Sequence, residues 1–311
     1  MGDFDLIQEL LRQKADLNAR LALIPYSGTP EIKQNSSGKY LYIRSREMGK
    51  LKSEYVGIYT AELYDALLRY TREARMLKKE MRSVEKQLLE LGYSEAELSM
   101  AVEKNLLFAR ANMKSNIYDQ AILEGVTTTF PQTETILENG TVNGMTASDM
   151  QKILNLKHAW EFILDKDVIS APSDYYVLCH IASLVNEGFF TEGGRLRGVP
   201  VKIGGCSYVP PLPVEADVKD AIRAITSGEQ SPIDIAIELC LYCMKTQIFN
   251  DGNKRASVIF ANHYLIACGC GLLVIPESEV PEFKRLLVTY YEGKDNGEIS
   301  QFMKSKCWQK L

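Results

Sequence analysis

The chain has 311 residues, 46% of them apolar, and a formal net charge of −4. That is room for one large or two modest domains with a substantial core, and it lacks the basic balance of a protein dominated by a nucleic-acid surface. No apolar run approaches the roughly 18 residues of a membrane span, and the acidic start Met1-Gly2-Asp3-Phe4-Asp5 does not read as a signal peptide, so a cytoplasmic protein without a membrane partner is expected.

Taken in order, residues 4–24 carry an apolar stripe (Leu6, Ile7, Leu10, Leu11, Leu17, Leu21) at helical spacing, ended by Pro25 and the Ser27-Gly28-Thr29-Pro30 cluster. Tyr40–Arg44 and Ser53–Gly57 read as two strands of a hairpin near 40–57, joined around Met48-Gly49-Lys50. This hairpin is basic and aromatic, with Arg44, Arg46, Lys50 and Lys52 beside Tyr40, Tyr42 and Tyr55. Those are the ingredients of a nucleic-acid surface. The acidic net charge favours instead a solvated hairpin that packs its tyrosine face on a neighbour, and nucleic acid is not expected as a partner. Residues 60–91 form a long basic helix with a narrow apolar seam, read as one arm of a packed helical hairpin, with a homodimer surface as the other reading.

Gly92 ends that helix and Ser94-Glu95-Ala96-Glu97 opens the next. Residues 148–164 and 174–188 read as helices, Leu272–Ile275 as a short apolar stretch, and 280–308 as a closing helical region. The seven cysteines suit no disulfide framework. Cys240 and Cys243 (C-x-x-C) and Cys268 and Cys270 (C-x-C) read as core thiols in a reducing compartment, because a zinc site needs four ligands gathered at one point.

Between two helices apolar enough to be buried lies Gln247-Ile248-Phe249-Asn250-Asp251-Gly252-Asn253-Lys254-Arg255. A polar turn that opens a helix directs unpaired N–H groups and the positive end of the dipole at one spot. Gly252 permits close backbone approach. Lys254 and Arg255 add full charges suited to phosphate, and Asp251 adds one carboxylate able to hold a Mg²⁺ that shares phosphate oxygens. These residues point to a phosphate site, with an ordinary helix N-terminus as the alternative.

The stretch resembles the signature of the Fic family, His-x-Phe-x-Asp/Glu-Gly-Asn-Gly/Lys-Arg, over Phe249, Asp251, Gly252, Asn253, Lys254 and Arg255. The resemblance covers about residues 110–311. It implies a mainly α fold: a Fic-type helical domain over 110–311 with a small β-hairpin flap, after an N-terminal helical region with its hairpin over 1–109. It also implies transfer of AMP from ATP to a protein hydroxyl. In that family Asp251 would hold Mg²⁺, Asn253 and the loop amides would bind phosphates, and Arg255 would neutralise them. Lys254 is similar to the Doc-type toxins, which phosphorylate their target. Arg195-Leu196-Arg197 through Pro210-Pro211 reads as the hairpin flap, and Val201, Lys202 and Ile203 would align a protein target by strand pairing. Glu124-Gly125 resembles the end of the family's inhibitory helix, although Gln120 stands at its Ser/Thr place and Val258 at the arginine that often pairs with the glutamate.

Gln247 stands where the family has its catalytic histidine. A glutamine amide holds a hydroxyl or water but does not take its proton, and general-base help is worth about 10² to 10⁴-fold. His263 is no substitute, because ten helical residues past Asn253 is about 15 Å. His180 reads as a structural histidine and His158 as one on a helix surface. The expectation is a Fic-like protein that binds a nucleotide or phosphate at 247–255, with ATP and Mg²⁺ as its cofactors, and is deficient in AMP transfer. The alternatives are an active AMP or phosphate transferase using another base, and an interaction scaffold without nucleotide.

Overall fold

The structure is a computed structural model that describes residues 3–47, 50–93, 97–140 and 142–311. The chain divides into two compact units, Met1–Ser94 and Glu95–Leu311.

In the first unit, α1 (Asp3–Leu23) turns Leu10, Leu11 and Leu17 toward Val84 and Leu88 of α2 (Ala61–Glu90), the helical hairpin that the apolar seam implied. Thr60 caps α2, its hydroxyl accepting from the Leu63 N–H at 3.1 Å. Three antiparallel strands lie between the helices in sequence: β1 (Thr29–Asn35), β2 (Gly38–Glu47) and β3 (Lys50–Ile58), in that spatial order. β1 is an addition to the expected hairpin. The segment after Pro30 has little strand character of its own and pairs because β2 offers a partner edge, a cross-strand effect that local composition does not carry. The expected turn at Met48-Gly49 lies outside the described residues. Leu41 and Ile43 are buried on Leu67. Their strand neighbours Tyr40 and Tyr42 therefore take the opposite face, so the tyrosine row is not the packed one, contrary to expectation.

In the second unit, α3 (Met100–Leu123) starts at Ser99, whose hydroxyl accepts from the Val102 N–H. The start expected at 94–97 falls largely on residues 94–96, outside the description. α3 runs unbroken through 109 and 110. It is followed by α4 (Phe130–Leu137), α5 (Ala147–Ile163), α6 (Lys166–Ile169), α7 (Tyr175–Val185), α8 (Glu215–Thr226), α9 (Pro232–Thr246) and α10 (Asn253–Ala267). α9 and α10 form the central pair, with α7, α5 and α3 packed on α10. Both are apolar around most of their circumference and are accordingly buried: Cys240, Met244, Val258, Ala261 and Leu265 share one core with Phe283.

The closing region is not one helix. α11 (Val280–Tyr291) stops before Gly293 and Gly297, which take φ of 73° and 90°. A short α12 (Glu298–Phe302) follows, and a π turn leads into β5 (Trp308–Gln309), which pairs with β4 (Leu272–Leu273). Buried Asn262 of α10 braces β4, donating to the Leu273 carbonyl at 2.7 Å and accepting its N–H at 2.9 Å. Cys240 and Cys243 are buried, as expected of core thiols, and so is Cys307. Cys268 is exposed and Cys270 half-buried, because α10 ends there and Gly269 and Gly271 turn the chain outward.

Candidate active site

The signature stretch is the connection between the two central helices. α9 ends at Gln247, which takes the left-handed conformation (φ 48°, ψ 61°), and α10 begins after Gly252, also left-handed (φ 73°). A left-handed glutamine is a strained choice that the surroundings must enforce. Three bonds do so. The Gln247 Nε2 donates to the Met244 carbonyl at 2.7 Å, its Oε1 accepts from the Asn253 Nδ2 at 3.3 Å, and its backbone carbonyl accepts from the Arg197 Nε at 2.5 Å. Both ends of the amide are thus spent on holding the loop.

Asn253 is the staple of the turn. Its Oδ1 accepts the Phe249 N–H at 2.9 Å and its Nδ2 donates to the Phe249 carbonyl at 2.8 Å, with Phe249 itself buried. At Gly252 a Cβ would stand 2.8 Å from the Asn186 Oδ1, so the close approach requires glycine. Glycine also leaves α10 with no side-chain cap, and its first N–H groups face the loop.

Arg255 is buried under the turn at 2% exposure. Its Nη1 donates to the Val185 carbonyl at 2.6 Å, and its Nη2 donates to the Asp251 Oδ2 at 2.9 Å and the Asn186 Oδ1 at 3.4 Å. Glu124, at the end of α3, brings one carboxylate oxygen 3.6 Å from the Arg255 Nε and the other 3.6 Å from the Lys254 Nζ. These are ion-pair separations beyond hydrogen-bond length, and the buried Arg255 Nε and Glu124 Oε1 have no hydrogen-bond partner among the described residues. Val258 is buried in the core, and Lys254 supplies the second cation instead. Gln120 ties α3 to α10, donating to the Arg255 carbonyl at 2.8 Å and accepting from the Trp160 indole at 3.1 Å.

The donor set fits a phosphate with a metal ion. Uncapped helix N–H groups, Lys254 and the spare Arg255 Nε suit the anion. Asp251, half-exposed with one oxygen committed to Arg255, suits a hydrated Mg²⁺.

The segment expected as a hairpin flap carries no strand ladder. It makes one isolated antiparallel bridge, Leu196 with Phe249, and the Arg197 N–H donates to the Ile248 carbonyl at 3.0 Å. Val201, Lys202 and Ile203 lie in chain that is neither helix nor strand, with Lys202 exposed and Ile203 resting on the main core. What shapes this segment is Arg197. Besides the Gln247 carbonyl, its guanidinium donates to the carbonyls of Val199 (2.9 Å), Pro210 (3.1 Å) and Pro211 (2.5 Å). It is 2% exposed, and burial lowers its pKa.

The loop's composition and the family resemblance placed Gln247, Phe249, Asp251, Gly252, Asn253, Lys254 and Arg255 as candidates, the resemblance alone added Glu124, and the structure gathers all of them. Sequence reading missed Val185, Asn186 and the pinning role of Arg197, whose only signal was the Arg-x-Arg pattern. The histidines lie elsewhere. His263 is buried, its Nδ1 2.8 Å from the Ser173 hydroxyl and its Nε2 2.9 Å from the Val168 carbonyl, and burial lowers its pKa. His180 stacks on Phe162 with ring centroids 4.4 Å apart. His158, expected on a helix surface, is buried with its Nδ1 3.0 Å from Glu187, because α5 is enclosed on nearly every side.

A central apolar helix pair joined by this loop defines a Fic-type helical domain. The chain carries a Fic-type domain: residues 172–265 match the model of the Fic/DOC family, and residues 5–65 match a domain of unknown function, DUF6788. The chain is 27% identical over 228 residues to the protein adenylyltransferase Fic of Drosophila willistoni and, to the same extent, to that of Drosophila melanogaster; the match takes in 67% of this chain and 44% of each relative. The chain thus spans less than half the length of these curated relatives. Solved structures share the fold. Fic-1 (residues 134–508) from C. elegans matches with a TM-score of 0.53 at 22% identity, over 79% of this chain and 73% of that one. A Fic domain containing signaling protein from Bacteroides thetaiotaomicron matches at 0.52 and 16%, over 67% and 85%.

Proposed function

We propose that this chain binds a nucleotide, with Mg²⁺·ATP as the first candidate, at the 247–255 loop and is deficient in AMP transfer to protein hydroxyls. The observation that carries this is the fixed Gln247 amide beside an otherwise complete phosphate site. Loop N–H groups, including that of Asn253, with Lys254 and Arg255 would hold the phosphates, and Asp251 would hold the metal ion, which supplies charge neutralisation at the transferring phosphate. Gln247 would orient a hydroxyl without accepting its proton. A protein target would lie along Val201, Lys202 and Ile203. Glu124 would be inhibitory, since its carboxylate holds the two cations that a phosphate would use. Seven free thiols support a reducing, cytoplasmic setting.

Calorimetry with ATP, with and without Mg²⁺, tests the site on the wild type and on Lys254→Ala, whose side chain is outside the core. Binding that weakens in the variant is expected; no binding by the wild type or by Glu124→Ala leaves the scaffold reading. Gln247→His tests the rest. Label transfer from α-³²P-ATP to a protein by the histidine variant alone is the expected result, and equal transfer by the wild type overturns the deficiency in favour of a transferase with another base.

A further inference from the structure

The outer face of the N-terminal sheet is a second assembly of charge and aromatic rings, separate from the loop chemistry. Because Leu41 and Ile43 point inward, Tyr40, Tyr42 and Arg44 point outward. The register sets Lys33 opposite Tyr40, Glu31 opposite Tyr42 and Thr29 opposite Arg44 on one side, and Tyr55 opposite Tyr42 on the other. These residues therefore share one face, with same-face neighbours along a strand ~6.8 Å apart. The rings gather: Tyr42 and Tyr55 have centroids 5.5 Å apart at 66°, and Tyr40 and Tyr55 6.3 Å apart. Tyr55 is 52% exposed. The Lys33 ammonium stands 4.2 Å over the Tyr42 ring. At the end of the sheet Arg44 borders a cleft of about 570 Å³, lined also by Ser27, Gly28, Thr29, Ser45 and Leu51 and by Lys78 of α2, which packs on the inner side. Glu31, 3.9 Å from Lys33, is the carboxylate on this face.

An uncovered tyrosine cluster flanked by cations suits a ligand that brings flat π faces and repeated negative charge together. Proteins also cover exposed tyrosines, but the charge balance selects between them. Lysine and arginine outnumber aspartate and glutamate over residues 1–94, whereas the rest of the chain is acidic. A paired duplex would hide its base faces from the rings, and a polyanion without bases would leave the rings unused. We propose that this face binds single-stranded nucleic acid, with bases stacked on Tyr42 and Tyr55 and phosphates taken by Lys33 and Arg44.

The test is fluorescence anisotropy of the full chain with labelled 20-nucleotide oligo(dT), oligo(U) and a matched duplex, at salt from 50 to 200 mM, with heparin as the base-free polyanion. Single strands are expected to bind more tightly than the duplex and to resist heparin better than the duplex does; the dT and U arms tell DNA from RNA. Tyr55→Ala, at an exposed position, is expected to weaken single-strand binding about tenfold with an unchanged salt slope. Tyr55→Phe keeps the ring and is expected to bind as the wild type does. Arg44→Gln is expected to reduce the salt slope by about one. No binding by the wild type overturns the proposal. So does equal binding of single strand and duplex that Tyr55→Ala leaves untouched, and so does a loss in Tyr55→Phe equal to that in Tyr55→Ala.

Discussion

Arg197 and Arg255 are each 2% exposed, and they are neutralised in opposite ways. Arg255 faces two carboxylates, Asp251 and Glu124, together with the Val185 carbonyl. Arg197 faces four backbone carbonyls, those of Gln247, Val199, Pro210 and Pro211. Carboxylate side chains can turn away or exchange a cation for a metal ion, so the charge on Arg255 is available to a ligand. Backbone carbonyls cannot leave without the chain moving. Arg197 is therefore a pin that fixes the 198–211 segment against Gln247, and its charge is spent on structure.

The sharpest test is to remove each guanidinium in turn. Arg197→Met leaves four carbonyls without their donor and is expected to cost at least about 3 kcal/mol in urea unfolding. Arg255→Met is expected to cost less, about 1–3 kcal/mol, because half-exposed Asp251 can rehydrate and Lys254 stays beside Glu124. If Arg255→Met proves the more damaging to stability, the comparison fails.

Glu124→Gln reads out the competition for the two cations through ligand binding. With the carboxylate gone, Lys254 and the Arg255 Nε are released to a phosphate, and calorimetric affinity for ATP or pyrophosphate is expected to rise about tenfold, or ~1.4 kcal/mol. An unchanged affinity would mean that Glu124 does not compete for these cations. Asn253→Ala is expected to cost about 2 kcal/mol through the lost Phe249 bonds, and to release Gln247 from the left-handed conformation.

The smallest expected difference between the arginines is in pH dependence. Burial pushes the Cys179 thiol up to about 11 and the Cys307 thiol up to about 12, against an ordinary value of 9.0. A hydrogen bond to Glu277 pushes the Tyr118 hydroxyl up to about 12 from 10.0. Each group holds its proton more firmly when folded, so its stabilisation is complete below the unfolded value and is lost as pH rises through the folded one. Stability is expected to be level from about pH 7 to about pH 9 and to fall between about pH 9 and 12. Arginine keeps its proton through most of that range, so the onset of the fall in urea melts between pH 7 and 11 should be the same in wild type and Arg255→Met.

Much of the second unit was legible in the sequence because its helices are apolar, capped and punctuated. α9 and α10 are too apolar to lie anywhere but in the core, whereas the Ser99 cap that starts α3 was not read from the sequence. The loop was legible as well, since Asn, Asp, Gly and two cations at a helix start have a definite chemistry. The first unit was less so. β1 has a composition that local propensity does not favour, and it exists because β2 supplies the partner edge.

By itself, then, the sequence determined the order and type of the long helices and the phosphate-suited chemistry of the loop, because these rest on side-chain chemistry and short-range spacing. Tertiary structure alone decided the rest. It brought Glu124 to Lys254 with Val258 turned into the core, enclosed His158, set the tyrosines on the outer face of the sheet, and closed four carbonyls around Arg197. Each of those outcomes depends on which residues distant in the chain meet, and spacing along the chain carries no record of that.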